Sequence, residues 1–255
     1  MEKIFLSVII PLYNESRNLE RGVLMQVRNF MVKQKYPWEI LISDDGSTDN
    51  SCALVKKQID GWRGFKLLLN PHGGKPSALN YGLRVASGQF VLFIDMDQST
   101  PIDQLEKLHP FMNGDYEAVI GSRGVDRKNF PFYRKIGSAV FMTFRKLFML
   151  SEIDDTQCGF KVFKSAIVKR AFSKLQFFKI KKEVTGWKVT SYDVELLHII
   201  QKMGGKIKEV KVVWQDEDTS GSKGGKLARY FKESKEMFIQ ILRVKLNDLK
   251  GMYDE

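Results

Sequence analysis

The chain has 255 residues, and its content of 43% hydrophobic and 28% charged residues excludes disordered and fibrous classes of protein. Its 41 lysine and arginine residues against 30 acidic residues give a net charge of +11, which favours an anionic partner such as nucleic acid, an anionic lipid or a phosphorylated substrate. Two distant cysteines, three histidines without metal-ligand spacing and the lack of a long apolar run argue against a disulfide scaffold, a zinc site and a transmembrane helix.

Short apolar runs alternate with amphipathic stretches over the first hundred residues, a pattern that predicts βαβ units and a mainly parallel sheet. The first run begins almost at the N-terminus, so no signal peptide is expected. One α/β domain is predicted over residues 1–225, followed by an amphipathic helix, residues 226–255, that belongs to the same domain or associates with a membrane. The predicted strands cover residues 5–10, 39–43, 65–69, 90–94, 118–121 and 207–214.

Helices are predicted between these strands from apolar residues that recur at helical spacing. One helix carries Leu19, Val23, Val27 and Phe30 between the first two strands. A second precedes the fourth strand and begins near Pro76, because proline suits the first turn of a helix. After residue 123 the sequence predicts a basic loop, an aromatic-rich helix and two further helices before the last strand.

Charged residues follow three of the predicted strands at the point where each strand ends. Asp44 and Asp45 follow the second strand, Asp95 and Asp97 follow the fourth, and Arg123 follows the fifth. In an open parallel sheet, ligands bind outside the carboxyl ends of the strands. The sequence therefore predicts a binding site at this edge of the sheet.

The segment Asp95-Met96-Asp97 directly follows a hydrophobic strand. An acid-x-acid pattern by itself is also typical of turns and helix starts. Two aspartates at a strand exit can be brought to one hard cation if the backbone turns there. Mg²⁺ or Mn²⁺ held by one or two carboxylates keeps positions open for phosphate oxygens. The position after a buried strand favours a metal that neutralises a diphosphate leaving group.

The segment 44–49 also follows a strand and has two compatible interpretations. As a structural feature it is a tight turn that leads into a helix capped by Thr48 or Asp49. As a functional feature, Asp44 or Asp45 accepts hydrogen bonds from a nucleotide base or ribose while the helix start faces phosphate. Lys75, preceded by two glycines and followed by a helix, marks a further phosphate-facing turn.

Several motifs resemble glycosyltransferase family 2, whose members have the GT-A fold and invert the anomeric carbon. The first three are the segments 8–15 (VIIPLYNE), 44–47 (DDGS) and 95–97 (DMD). A later set is similar to the branch that contains dolichyl-phosphate glucosyltransferases and polyprenyl-phosphate mannose synthases. This set consists of the segments 121–123 (GSR), 155–161 (DTQCGFK), 192–197 (YDVELL) and 221–223 (GSK).

The resemblance covers nearly the whole chain and implies a fold and a set of residue roles. The implied fold is the GT-A nucleotide-sugar-binding fold, an α/β fold whose mainly parallel sheet is flanked by helices, with C-terminal amphipathic helices. The implied donor-site residues are Pro11, Tyr13 and Glu15 in the nucleotide pocket, Asp44 or Asp45 at base and ribose, and Asp95 and Asp97 at Mg²⁺ or Mn²⁺ and the diphosphate. The implied ligands of the acceptor phosphate are Arg123, Arg134 and Lys223.

A phosphate acceptor changes what the site needs. A phosphate monoester has a second pKa near 6 and is already an anionic nucleophile at neutral pH, so no general base is required. Asp154 and Asp155 have three interpretations: a general base, acid contacts to donor sugar hydroxyls, or structural partners of Lys161. Asp193 and Glu195 lie two residues apart on a predicted helix and do not share a face, so at most one points at the site.

A predicted helix over residues 133–150 has an apolar stripe with basic residues beside it. Such a helix lies either in a membrane interface or in the protein core. The basic residues would draw the protein to an anionic membrane surface, and we expect a cytoplasmic protein that is peripheral on the cytoplasmic face of a membrane. The apolar residues are Ile136, Val140, Phe141, Phe144, Leu147 and Phe148, and the basic ones are Arg134, Lys135, Arg145 and Lys146.

The predicted function is inverting, metal-dependent transfer of a hexose, glucose from UDP-glucose, to a polyprenyl phosphate. Enzymatic alternatives are GDP-mannose as the donor, a glycan hydroxyl as the acceptor, or a nucleotidyltransferase with a similar metal site. A non-enzymatic alternative is a basic module that binds membrane or nucleic acid. Paired acids at strand ends would repel phosphate without a metal, so nucleic acid is not an expected partner.

Overall fold

A computed structural model of the chain describes residues 3–124, 143, 149–179, 192–215 and 226–254. Within these residues the strands form one seven-stranded sheet in the order β3-β2-β1-β4-β6-β5-β7. The strands are β1 Leu6–Leu12, β2 Trp38–Asp44, β3 Phe65–Leu69, β4 Phe90–Phe93, β5 Ala118–Ser122, β6 Lys161–Lys164 and β7 Ile207–Lys211.

Most strand pairs in this sheet are parallel, as predicted. Strand β1 pairs with β2 and β4, β2 pairs with β3, and β5 pairs with β7, all in parallel. Strand β6 is antiparallel to both β4 and β5, with Val162 opposite Leu92 on one side and Val119 on the other. The sequence did not predict β6, because it is only four residues long and begins with Lys161, a residue type that seldom lies in a buried strand.

Strand β1 continues through Pro11, where the sequence predicted its end. Ile94 donates its backbone N–H to the carbonyl of Ile9, so the backbone N–H and C=O groups of Ile9 point toward β4. The backbone of Pro11, two residues further on, has the same orientation. The ladder with β4 ends where Ile9 pairs with Phe93. The missing N–H of Pro11 therefore costs no ladder hydrogen bond.

The helices flank both faces of the sheet. The single helix predicted between β1 and β2 is divided in two, because Gly22 takes a left-handed conformation with φ of 81°. The predicted helix near Pro76 is confirmed, with Pro76 in its first turn. The helices are α1 Ser16–Glu20, α2 Val23–Met31, α3 Ser51–Ile59, α4 Lys75–Val85, α5 Leu105–Met112, α6 Ser165–Lys174, α7 Tyr192–Lys202 and α8 Lys226–Leu249.

Two apolar layers, one on each face of the sheet, form the core. Alternate residues of β1 point to opposite faces, so Val8 and Ile10 pack with α2 and α5 while Ile9 packs with α4, α6 and α7. Helix α4 lies close to the sheet at Gly82, where a Cβ atom would come within 2.6 Å of Cγ2 of Ile9. This packing fixes the start of α4 beside the carboxyl ends of the central strands.

The C-terminal helix α8 packs on the same layer as α6 and α7. Ile241, Val244 and Tyr253 are buried there, and the hydroxyl of Tyr253 donates to Oε1 of Glu195 at 2.8 Å. The boundary at residue 225 stays a prediction. In the parts of the chain that the structure describes, no helix is both long and apolar enough to cross a bilayer. The helix predicted over residues 133–150 lies outside these parts, apart from residues 143, 149 and 150.

Candidate active site

The predicted site at the carboxyl ends of the strands contains a group of paired charges. Asp95 lies two residues beyond β4, and its Oδ1 is 2.5 Å from the ammonium of Lys75 at the start of α4. The backbone N–H and the side-chain amide of Gln98 both donate to the Asp95 carbonyl, at 3.2 and 2.9 Å. Burial would raise the pKa of Asp95, but the Lys75 ammonium, together with Lys161 and Arg123, outweighs burial and lowers the pKa.

Asp97 is the second acid of the motif and is held differently. Its Oδ1 accepts the Ser99 N–H at 2.9 Å, and its backbone carbonyl accepts a hydrogen bond from the Arg21 guanidinium at 2.7 Å. Burial and the neighbouring Asp95 carboxylate raise the pKa of Asp97. A carboxylate that resists ionisation beside another carboxylate is a position where a bound cation lowers the electrostatic energy.

Gln98 completes the turn in a backbone conformation that is uncommon for a residue other than glycine. Its φ is 54°, and only 7% of the residue is exposed. Among the described residues, its side-chain oxygen has no hydrogen-bond partner. Neither Gln98 nor Arg21 was among the predicted site residues. A glutamine after an acid-x-acid motif carries no sequence signal, and the Arg21 contact joins residues 76 positions apart.

Asp44 and Asp45 shape the loops around this site. The Asp44 carboxylate accepts the N–H groups of Gly46 and Ser47, at 3.0 and 3.2 Å. The Asp45 carboxylate is fully buried and accepts the N–H groups of Gly73 and Gly74, at 2.9 and 2.8 Å, just before α4. Burial outweighs these hydrogen bonds and raises the pKa of Asp45. Contact of either aspartate with a base or ribose stays a prediction.

The predicted capping of α3 by Asp49 is confirmed at the side chain. Helix α3 begins at Ser51, and Asn50 before it makes no side-chain cap hydrogen bond, whereas Oδ1 of Asp49 accepts the Ser51 N–H at 2.9 Å. The loops after β1 and β2 are also connected here, because the Asn14 side-chain oxygen accepts the N–H groups of Thr48 and Asp49, at 2.8 and 3.2 Å. These donors are therefore satisfied before the helix begins.

The predicted nucleotide-pocket residues Pro11, Tyr13 and Glu15 lie on β1 and the loop after it. The Tyr13 ring stacks on His72, with ring centres 4.7 Å apart. The backbone N–H of Glu15 donates to the Ser51 hydroxyl at 2.8 Å. Together with Asp44 and Asp45, these contacts hold the three loops after β1, β2 and β3 beside one another. Binding of a nucleotide by Pro11, Tyr13 and Glu15 stays a prediction.

Arg123 and Asp155 form a bidentate ion pair beyond β5. Nε and Nη2 of Arg123 lie 2.7 and 2.8 Å from the two Asp155 oxygens, and the Arg123 N–H adds a third bond at 3.0 Å. The interpretation of Asp155 as a partner of Lys161 is therefore wrong. Lys161 instead pairs with Asp193 at 2.6 Å.

The two acids of α7 point in different directions, as predicted. Asp193 contacts Lys161, whereas Glu195 accepts hydrogen bonds from Gln176 and Tyr253 in the core. Among the described residues, three carboxylates near the end of β4 have a cation partner. The pairs are Lys75–Asp95, Arg123–Asp155 and Lys161–Asp193, while Arg21 contacts the backbone carbonyl of Asp97.

The two neighbouring acids Asp95 and Asp97, the second with a raised pKa, fit a divalent cation. Within the described residues there is no cluster of three or more acidic, histidine or cysteine side chains that would enclose a metal. Two carboxylates alone would leave most coordination positions to phosphate oxygens and water, which is the arrangement that Mg²⁺ favours with nucleotide substrates. The Asp95 carboxylate already pairs with one positive charge, the Lys75 ammonium.

Residues 7–174 match the sequence model of the family described as Glycosyl transferase family 2. The chain belongs to this family. The prediction of a glycosyltransferase is thereby confirmed. The chain is 31% identical, over 99% of its length and 77% of the relative's, to a dolichyl-phosphate beta-glucosyltransferase of Dictyostelium discoideum.

Solved structures agree with the predicted GT-A fold of family 2. Mannosyl-3-phosphoglycerate synthase from Rubrobacter xylanophilus has a TM-score of 0.65 at 14% identity, over 99% of this chain and 76% of that one. Glucosyl-3-phosphoglycerate synthase from Mycobacterium tuberculosis, solved with Mn²⁺, UDP and phosphoglyceric acid, has a TM-score of 0.61 at 18% identity, over 95% and 78%. At these identities the likeness concerns the fold. Arg134 and Lys223 lie outside the described residues, and their roles stay predictions.

Proposed function

We propose that this family 2 enzyme transfers glucose from UDP-glucose to a polyprenyl phosphate, with inversion and with Mg²⁺ or Mn²⁺ at Asp95 and Asp97. The observation that carries the proposal is the pair of carboxylates, Asp95 and Asp97, beyond the end of β4 and beside the Lys75 ammonium. A relative described as a dolichyl-phosphate beta-glucosyltransferase, which aligns over 99% of the chain, supports the choice of substrates.

The donor would lie with its diphosphate at Asp95, Asp97 and Lys75. A divalent cation, when bound, neutralises the charge of the diphosphate leaving group. The Lys75 side chain is 12% exposed and is held at the start of α4, where Gly73 and Gly74 are fixed by Asp45. It is therefore positioned to donate to a phosphate oxygen once Asp95 has another cation to neutralise it.

The acceptor phosphate would lie on the Arg123 side. Its oxygen attacks the anomeric carbon, the bond from that carbon to the diphosphate breaks, and the nucleoside diphosphate leaves. The acceptor is already ionised, so no side chain must remove a proton. Asp155 fixes the Arg123 guanidinium through two hydrogen bonds, which would present the remaining N–H groups in one orientation. This role for Asp155 replaces that of a general base.

A membrane surface is the proposed location of the lipid acceptor. Helix α8 has an exposed apolar stripe on the side opposite its buried residues Ile241 and Val244, and Leu249 in this stripe is 72% exposed. Lys245 and Lys250 flank the stripe, which suits an anionic bilayer. The stripe consists of Ile239, Leu242, Leu246 and Leu249.

The membrane proposal is tested by flotation with anionic and neutral liposomes. The wild type should float with anionic liposomes, and the variant Leu242→Ser/Leu246→Ser should float less. Met25→Ser, a change at an exposed apolar residue of α2, is the matched control. If the wild type does not float with anionic liposomes, this part of the proposal is wrong. Peripheral attachment at the cytoplasmic face remains part of the proposal.

The substrate proposal is tested by a donor and acceptor screen. Purified protein would be incubated with UDP-glucose or GDP-mannose and with polyprenyl phosphate, in Mg²⁺, Mn²⁺ or EDTA. Glucosyl lipid should form from UDP-glucose only with a metal. The matched control acceptor is polyprenol, whose hydroxyl is not ionised at neutral pH, and it should receive no sugar. Transfer to polyprenol, transfer from GDP-mannose alone, or release of pyrophosphate instead of UDP would contradict the proposal.

A further inference from the structure

The segment 158–161 lies directly beneath the Asp95 carboxylate. A Cβ atom built on Gly159 would overlap this carboxylate, and its three nearest atoms would be Oδ2, Cγ and Oδ1 of Asp95. The φ of Gly159 is not in the left-handed region, so the backbone itself would accept alanine there. The glycine is thus required for the close approach of Asp95 and not for a turn.

The same segment is held in place from below by a buried ion pair. The Lys161 ammonium donates to the Cys158 carbonyl and lies 2.6 Å from Oδ1 of Asp193, and Lys161 is only 1% exposed. On the other side, the Gly121 N–H donates to the Phe160 carbonyl at 2.8 Å. The 158–159 and 160–161 peptide units are therefore fixed.

We propose that Lys161, held by Asp193, is a positioning residue that fixes the 158–159 segment against Asp95 and thereby sets where the Asp95 carboxylate meets the donor-site cation. This inference rests on the proposed function. The Asp95 carbonyl is fixed by Gln98, and Oδ1 of its side chain contacts the Lys75 ammonium. Gly159 supplies the surface against which the carboxylate packs.

A buried ion pair is weak evidence for a role in stability. Replacement of such pairs by neutral side chains is often neutral or stabilising, because the desolvation cost of two buried charges disappears. Partners that orient a metal ligand behave differently, and their loss typically lowers metal affinity by about 10-fold to 100-fold. Stability and metal affinity should therefore separate in variants of Lys161 and Asp193.

The experiment measures Mn²⁺ binding by electron paramagnetic resonance in the absence of donor, together with the melting temperature. Gly159→Ala should weaken Mn²⁺ binding about 10-fold to 100-fold. The matched control is Gly114→Ala, at a glycine where a Cβ atom would make only ordinary contacts, the nearest at 3.5 Å. Mn²⁺ affinity of this control should equal that of the wild type.

The ion pair is tested by Lys161→Met and by the double variant Lys161→Met/Asp193→Asn. Loss of the Lys161 charge alone would strengthen Mn²⁺ binding, because a cation leaves the site, whereas loss of positioning weakens it. The double variant removes one charge of each sign and isolates the geometric effect. It should stay folded and bind Mn²⁺ about 10-fold to 100-fold more weakly. Lys164→Met, which breaks the Lys164–Glu117 pair on the same strand, is the control.

Two results would overturn the inference, and they can be told apart. If the wild type binds Mn²⁺ and the folded double variant and Gly159→Ala bind it equally well, the positioning role is wrong while the proposed function stands. If the wild type binds no Mn²⁺ in the presence or absence of UDP, the cation site of the proposed function is wrong as well.

Discussion

The ammonium of Lys75 lies 2.5 Å from Oδ1 of Asp95, so a lysine from the start of α4 neutralises the first acid after β4. This pair joins two features that are 20 residues apart in sequence and that both face the proposed diphosphate site. A cation bound at Asp95 and the Lys75 ammonium would compete for the same carboxylate. Nucleotide binding would release this competition by offering Lys75 a phosphate oxygen.

Lys75→Met should therefore change cation and nucleotide binding in opposite directions. Mn²⁺ alone should bind more tightly, because a competing positive charge is removed. UDP in the presence of Mn²⁺ should bind roughly 10-fold to 100-fold more weakly, since a hydrogen bond to a charged group contributes about 1.5–3 kcal/mol. Calorimetric titration measures both affinities, with the exposed Lys57→Met as control. Unchanged UDP affinity would show that Lys75 does not reach the diphosphate.

Asp97→Asn should stabilise the cation-free protein and abolish metal-dependent activity. Burial and Asp95 raise the pKa of Asp97, so the folded protein loses stability as the pH rises through this pKa. The variant carries no such charge, and its melting temperature should exceed that of the wild type at pH 7 and approach it at acidic pH. Scanning calorimetry between pH 7 and acidic pH tests whether the difference in melting temperature has this sign.

Added Mn²⁺ should reverse the order of stability in the Asp97→Asn experiment. At roughly 100 times its dissociation constant, Mn²⁺ would stabilise the wild type by about 2.7 kcal/mol. The variant should gain little from the ion. Asp115→Asn, at an exposed loop position, should melt like the wild type with and without Mn²⁺. An equal Mn²⁺ response in Asp97→Asn would place the cation elsewhere.

The central strands could be predicted from the sequence because their physical signal is local. The strands β1 to β4 are rich in apolar residues, and the acids at the ends of β2 and β4 mark the carboxyl edge of the sheet. Strand β6 could not be recognised, because the charge of its buried Lys161 is paired with Asp193, 32 residues further along the chain. The division of the first helix depends on the left-handed conformation of Gly22, which helical spacing does not reveal.

The candidate site shows the same limit. Asp95 and Asp97 could be predicted from two acids after a buried strand, but their partners could not. Lys75 was predicted to face phosphate, and its pairing with Asp95 emerges only when α4 packs on the sheet. A structural pairing with Lys161 was one of three interpretations of Asp155, whereas the structure places its carboxylate on Arg123.

Glu39 should contribute to stability in a pH-dependent way. Its side chain is 5% exposed and accepts hydrogen bonds from the Ser7 and Ser87 hydroxyls, both at 2.7 Å, and from the Ser87 N–H at 2.8 Å. Burial would raise the pKa of Glu39, but these hydrogen bonds and Lys66 outweigh it and lower the pKa. Glu39→Gln should reduce the free energy of unfolding at pH 7 by about 1.5–3 kcal/mol.

The effect of Glu39→Gln should depend on pH in one direction. A lowered folded-state pKa gives stability that is present above the unfolded-state pKa and is lost as the pH falls through the folded-state pKa. The difference between the wild type and the variant should therefore shrink in acid. Urea unfolding at several pH values measures it, with Glu106→Gln on the exposed face of α5 as control. A difference that grows in acid would show that the Glu39 pKa is raised.

Tyr253 tests whether α8 unfolds together with the core. The Tyr253 hydroxyl donates to Glu195, a fully buried carboxylate that also accepts the Gln176 N–H at 2.8 Å and lies 3.3 Å from the Arg243 guanidinium. One residue of α7 thus joins the C-terminal turn to α8 and to the segment after α6.

Tyr253→Phe removes only the hydroxyl, and it should lower the free energy of unfolding by about 1.5–3 kcal/mol if this junction belongs to one cooperative unit. Tryptophan fluorescence during urea unfolding, measured in a Trp187→Phe/Trp214→Phe background, reports the effect at Trp38 and Trp62, which pack on Phe65 of the edge strand β3. Tyr116→Phe is the control. A shifted unfolding transition at these tryptophans would show that residues 226–255 unfold together with the catalytic domain. An unchanged fluorescence transition, with loss of helical circular dichroism alone, would show that α8 unfolds as a separate unit. The exposed stripe would then move independently of the active site.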